Sequence, residues 1–198
     1  MMSPVAGMEV LLVGEREGLL AGCLQKSGAS RVTWLEPFLR IAPPAAVPLA
    51  LAVDSGIERV AADCAGLPFA DGSFDRVASQ FTLDYVEDPA GALAGWIRVL
   101  RPGGTLSVLT ANALFRGHAP VPLPRARRSF RPDELARLVA RAGLTVQATT
   151  TLLPDLKLPA LYRGDLSLSL RLEGLPYLKD RGRLLFLSAS KNAEGVTG

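Results

Sequence analysis

Gly14 and Gly18 bracket the stretch Gly14-Glu15-Arg16-Glu17-Gly18, directly after the apolar run Met8–Val13. Glycines in a strand-to-helix turn let the backbone approach a ligand and aim helix N–H groups at its charged end. Glu36 closes the next apolar run, Arg31–Leu35. A carboxylate there can accept two hydrogen bonds from a ligand, or serve as a surface acid capping the following segment. Cys23 and Cys64 lack metal-ligand spacing and read as buried free thiols, so no metal is expected. His118 is the single histidine, and in a proline-rich loop it is more often incidental than catalytic. Around it cluster Arg116, Arg125, Arg127, Arg128 and Arg131, in a chain with eighteen Arg against four Lys. An anionic substrate or nucleic acid could dock there. A solvated loop explains the same residues, and without interleaved aromatics for base stacking, nucleic acid is not the expected partner.

The elements that must position these residues alternate. Met8–Val13 reads as a buried strand, and the helical pattern from Gly18 to Lys26 ends at Gly28. Arg31–Leu35 is a second strand. Prolines then interrupt what should be a helix, so a short or broken one is expected. Glu58–Ala61 is a third strand and Phe74–Ser79 a fourth, its apolar character suited to a buried parallel sheet. Pro89 suits a helix start; Ala92, Leu93, Trp96, Ile97 and Leu100 recur at helical spacing; Pro102-Gly103-Gly104 stops the helix before a fifth strand, Thr105–Thr110. A further helix begins at Pro132 with Asp133 and Glu134 in its first turn, buries Leu135, Leu138, Val139 and Ala142, and ends at Gly143. Leu144–Thr151 and Arg183–Ser190 are the sixth and seventh strands. Such alternation implies βαβ units and a parallel sheet.

The strings LPFADGSFD (67–75) and RVLRPGG (98–104) carry more than periodicity. At this spacing the block Leu67–Thr110 resembles the second half of the class I S-adenosylmethionine (SAM)-dependent methyltransferase domain, in its small-molecule, type 11 branch. The resemblance implies a Rossmann-like α/β fold. It implies seven strands in a mostly parallel sheet with an antiparallel last strand, and helices on both faces. It also implies SAM as cofactor.

Ligands of open α/β sheets bind at the carboxyl ends of the strands. The resemblance places Gly14 and Gly18 in the cofactor's glycine-rich turn, Glu36 on the ribose hydroxyls and Asp63 on the adenine amino group. It counts Cys64 among the cofactor-binding residues and sets Leu67 and Phe69 along the adenine edge, where plain core packing explains them equally. Ser79, Gln80 and Phe81 fall where the sulfonium meets the substrate, and Asp84 and Tyr85 are substrate candidates. No catalytic base is named, because in-line attack on a sulfonium carbon depends largely on positioning. Two positions depart from the family pattern acid-x-Gly-x-Gly-x-Gly: Leu12 stands at the acid and Arg16 at the middle glycine. Leucine removes a charge-assisted hydrogen bond to the SAM ammonium, worth about 1.5–3 kcal/mol. An arginine must point away from the methionyl group or fill its space.

With 198 residues, 48% of them apolar, the chain reads as one domain, 1–198, able to bury a core. No long apolar run is free of charge or proline, and no signal peptide is evident, so no membrane association and a cytoplasmic location are expected. Only about seven residues precede the first strand, where relatives carry a helical lid. The substrate side is therefore open, or closed by a partner subunit or homodimer, or closed by residues 152–182 as a lid insertion. That last segment is taken as helical, although Leu166, Leu168, Leu170 and Leu172 also alternate as in a strand. Two functions follow: a SAM-dependent methyltransferase acting on a small molecule or partner-presented group, or a catalytically inactive methyltransferase-fold protein serving as a binding or scaffold subunit.

Overall fold

The computed structural model describes residues 5–15, 19–37, 57–115, 126–154 and 182–193. Among these residues, ten elements run β1 (Glu9–Val13), α1 (Leu19–Lys26), β2 (Arg31–Leu35), β3 (Ile57–Val60), β4 (Phe74–Gln80), α2 (Pro89–Val99), β5 (Leu100–Ala111), α3 (Pro132–Arg141), β6 (Leu144–Pro154) and β7 (Gly182–Lys191). The strands form one sheet in the order β3-β2-β1-β4-β5-β7-β6. The pairs from β3 to β5 are parallel, while β7 lies antiparallel to both β5 and β6. This is the Rossmann-like, mostly parallel sheet the resemblance implies, with the last strand inserted between the fifth and sixth.

Strand periodicity sorts the core into two layers. Val10 and Leu12 of β1 pack with Val32, Ala21 and Leu24, which places α1 on one face. Leu11 and Val13 point the other way and join Val77, Leu106 and Val108 under α2 and α3, through Leu93, Trp96, Leu135 and Val139. The fully buried side chains of this layer stabilise the fold by about 1.5–3 kcal/mol each.

The two motif strings are tied together by arginines. Arg98 on α2 donates from Nη2 to the Leu67 carbonyl (2.8 Å) and from Nη1 to the Phe69 carbonyl (2.8 Å) and to Asp71 Oδ1 (2.6 Å). At the amino-terminal rim of the sheet, Arg101 bridges Asp75 (2.7 Å) and Glu9 (2.6 Å). Asp75 also accepts from the Glu9 N–H at 2.8 Å. A Cβ on Gly104 would sit 2.8 Å from the Arg101 carbonyl and 2.9 Å from that of Asp75, so the second glycine of the PGG string is there for close backbone approach. Helix α2 opens on Asp88, whose carboxylate accepts from the Ala90 and Gly91 N–H groups, both at 3.0 Å. At its other end Lys191 of β7 donates to the carbonyls of Ile97 (2.8 Å) and Leu100 (2.7 Å).

Several boundaries differ from expectation. The α2 helix stops at Val99, before Pro102, because Leu100 already pairs with Phe74; β5 therefore contains the PGG string, with the register slipping there. Third-strand pairing runs Ile57–Val60, one residue earlier than expected. Residues 152–154, taken as the start of a lid, continue β6 instead, with Leu152 opposite Leu184 and Pro154 opposite Gly182. The rest of that segment, 155–181, lies outside the described residues, as do the proline-interrupted 38–56. Cys23 is exposed rather than buried, because it lies on the solvent side of α1.

Candidate cofactor site

Parallel pairing sets four strand ends at one level. Val13 lies beside Leu35 and Ser79, and Leu35 beside Val60. The residues that follow, from Gly14, Glu36, Ala61 and Phe81 onward, therefore leave the sheet along one rim. Gly14, Glu36, Asp63 and the Ser79–Phe81 turn all belong to that rim. Arg16 and Gly18 lie outside the described residues, as do His118, Arg116 and Arg125.

The first turn is built on Gly14, which has φ +84. A Cβ there would meet Thr82 Oγ1 at 2.0 Å and the Gln80 carbonyl at 2.8 Å. Gly14 thus lets the turn after β4 close onto the turn after β1, with Thr82 Oγ1 donating to the Val13 carbonyl at 3.2 Å. Glu15 is buried, and its carboxylate accepts from the Leu20 N–H and, at 3.0 Å, from that of Ala21. The chain's own carboxylate therefore sits on the positive end of α1. Leu12 is wholly buried in the layer beneath α1, so it serves packing rather than the rim.

Glu36 leaves β2 with its N–H bonded to the Val60 carbonyl at 2.9 Å. Its carboxylate pairs with Arg59 of β3. The Arg59 guanidinium lies over the Trp34 ring, 4.6 Å from its centroid, and Trp34 Nε1 donates to the Glu15 carbonyl at 3.0 Å. A chain of contacts thus joins the first turn to the acid expected at the ribose. Sequence reading missed both Arg59 and Trp34 as parts of the rim. Their only signal is positional, since the β2–β3 register sets Trp34 directly beside Arg59.

Beyond β3, Asp63 is exposed, and its Oδ1 accepts from the Ala65 N–H at 3.2 Å. Cys64 and Leu67 are buried in the core, and Phe69 packs edge-on against Phe74 at 5.1 Å. Burial, with Asp63 nearby, pushes the Cys64 thiol up to about 12, which leaves it unreactive near neutrality. Ser79 is buried, and its hydroxyl has no hydrogen-bond partner among the described residues. Phe81 adopts φ +56, a left-handed conformation that a side-chain-bearing residue holds at a cost of about 1 kcal/mol or more. Strain and an orphaned hydroxyl both fall at the end of β4.

Asp84 is fully buried. Its carboxylate accepts from Thr110 Oγ1 (2.8 Å) and the Ala111 N–H (3.1 Å), and its carbonyl accepts from the N–H groups of Arg127 (2.8 Å) and Arg128 (3.2 Å). Burial raises the carboxyl to about 6, against hydrogen bonds that favour its charged form. Tyr85 is half-buried on the same turn, its N–H bonded to the Thr82 carbonyl at 3.0 Å. Among the clustered arginines, Arg127 pairs with Glu87 at 2.7 Å, Arg128 donates to the Glu87 carbonyl at 3.0 Å, and Arg131 lies 3.5 Å from Asp133. No group of described His, Cys, Asp and Glu residues could hold a metal ion. No helix among the described residues is long and apolar enough to cross a membrane.

Residues 11–108 match the family model of a methyltransferase domain. The ubiquinone biosynthesis O-methyltransferase of Thiobacillus denitrificans is 32% identical over 163 residues, which span 75% of this chain and 69% of that protein. A demethylmenaquinone methyltransferase of Clavibacter sepedonicus is 35% identical over 126 residues, 63% of this chain, but the match spans only 47% of that longer relative. The crystal structure of a SAM-dependent methyltransferase from Mesorhizobium loti superposes with a TM-score of 0.68 at 21% identity, covering 96% of this chain and 94% of that one. The chain belongs to the SAM-dependent methyltransferase family.

Proposed function

We propose that the chain transfers a methyl group from SAM to a small aromatic acceptor at the rim formed by β1, β2, β3 and β4. The observation that carries this reading is the common level of Gly14, Glu36 and the residues after Val60, which the parallel register sets side by side. The polar groups suit an adenosyl ligand. Glu36 offers a carboxylate to ribose hydroxyls, Asp63 an exposed carboxylate to an amino group, and Ser79 a hydroxyl whose hydrogen bond is unmade. SAM, when bound, supplies an electrophilic methyl group on a positively charged sulfur. The chain's own task is then to orient the acceptor for in-line attack and to keep water out. The strained Phe81 turn and half-buried Tyr85 stand where an acceptor would lie.

The two quinone-biosynthesis relatives make phenolic quinone precursors the first acceptors to test. A homodimer or partner subunit over the substrate side, and action in the cytoplasm, complete this reading. Incubation with methyl-labelled SAM and such phenols should yield a methylated product. Unlabelled acceptors throughout, from folded protein that binds SAM, would remove this acceptor class.

A second reading, a scaffold subunit that has lost SAM, is favoured by Leu12 in the core and by the Glu15 carboxylate on the α1 N-terminus. It requires folded protein that binds neither SAM nor S-adenosylhomocysteine.

A further inference from the structure

Two arginine–glutamate pairs cross from β2 to the strand beside it or its rim, and they differ in setting. Arg31 and Glu58 meet at 2.5 Å near the start of the strands, with side chains 51% and 46% exposed. Arg59 and Glu36 meet at the cofactor rim, with side chains 27% and 16% exposed. The second pair is also anchored from below. Arg59 stacks on Trp34, which is 2% exposed and tied through Nε1 to the first turn. A guanidinium held on an aromatic face has lost most of its freedom, so it fixes the carboxylate it bonds. Arg59 Nη2 engages Glu36 Oε1. The remaining acceptor sites of the carboxylate then point in a set direction.

We propose that Arg59 is a positioning residue that orients Glu36 toward the ribose diol and so sets a preference for ribonucleosides over 2′-deoxyribonucleosides. This rests on the adenosyl-cofactor reading above. A glutamate without this partner would sample several rotamers and pay side-chain entropy on binding. The Trp34–Arg59–Glu36 stack removes that cost in advance.

The test is calorimetric binding of S-adenosylhomocysteine and its 2′-deoxy analogue to the native protein and to Arg59→Met, Glu36→Gln, the double variant and Arg31→Met. Native protein should prefer the ribonucleoside by roughly tenfold or more. Arg59→Met should weaken S-adenosylhomocysteine binding about tenfold and narrow the preference to roughly threefold, with Arg59→Lys in between. The double variant should bind no more weakly than Glu36→Gln, because Arg59 acts through Glu36. Arg31→Met should leave both affinities unchanged. Unaltered preference in Arg59→Met, or tighter binding than native, would overturn the proposal alone, the latter by showing that Arg59 competes with the ribose. Folded native protein that binds neither nucleoside would overturn the cofactor reading and this inference with it.

Discussion

The block 67–110 and the first turn, 12–15, meet where Gly14 closes on Thr82, but they are held in place by different means. In the block, cationic side chains bond backbone carbonyls as well as carboxylates. Arg98 collects the carbonyls of Leu67 and Phe69, Lys191 those of Ile97 and Leu100, and Gly104 lets two strands touch. Around the first turn, side-chain charge dominates: Glu15 on the α1 N-terminus, and Glu36 on an arginine stacked upon Trp34. The motif strings that identify the family therefore build its scaffold, and the residues that could meet a ligand lie mostly elsewhere. Only Leu67 and Phe69 belong to both.

That contrast can be broken by mutation. The largest expected effect is Gly14→Val, which adds a side chain where a Cβ would already lie 2.0 Å from Thr82 Oγ1, at φ +84. Strain and overlap together should cost about 3 kcal/mol or more, read as a lowered denaturant midpoint. An unchanged midpoint would show that the two turns do not close on one another. Arg98→Ala should cost about 2–3 kcal/mol by stranding the Leu67 and Phe69 carbonyls, while leaving adenosyl binding per folded molecule within about twofold.

Asp84 sharpens the comparison through pH. Its folded pKa of about 6 lies above the ordinary carboxylate value, so the protonated form is favoured by folding. Its contribution is fully present below about pH 4 and is lost as pH rises through about 6. Asp84→Asn should flatten that part of the stability–pH curve by roughly 1–3 kcal/mol. Parallel curves for the native and Asn forms would mean that Asp84 stays charged when buried. The smallest effect belongs to Glu15→Gln, which keeps the cap but removes its charge. A loss of about 0.5–1 kcal/mol is expected, diminishing in high salt.

How much was legible follows from the range of the interactions. Pro89, Pro132 and the apolar spacing of α2 and α3 act within a few residues, and those helices stand where the sequence put them. The Asp88 cap follows the same local rule. Arg98 and Arg59 act between segments, and nothing in their own neighbourhood announces a partner, whereas the Glu15 carboxylate caps the helix that directly follows it. Arg59 in particular reads as one more surface arginine until parallel register sets it beside Trp34. Asp84 shows the reverse case. Its position after β4 suggests a substrate contact, yet the β5 end supplies Thr110 and Ala111 to its carboxylate. Leu12 reads as a lost ligand contact in the motif, while strand alternation turns it toward α1.

We propose that the rim beside the first turn, through Glu36, holds the adenosyl cofactor, whereas the motif strings 67–75 and 98–104 hold the fold. Calorimetric titration of S-adenosylhomocysteine into the native protein and Glu36→Ala, with melting curves for both, tests it most directly. We predict saturable heat from native protein at about 100 µM or below, and binding weakened at least about tenfold in Glu36→Ala with little change in melting temperature. Folded native protein giving no heat at about 1 mM, or Glu36→Ala binding as tightly as native, would contradict it.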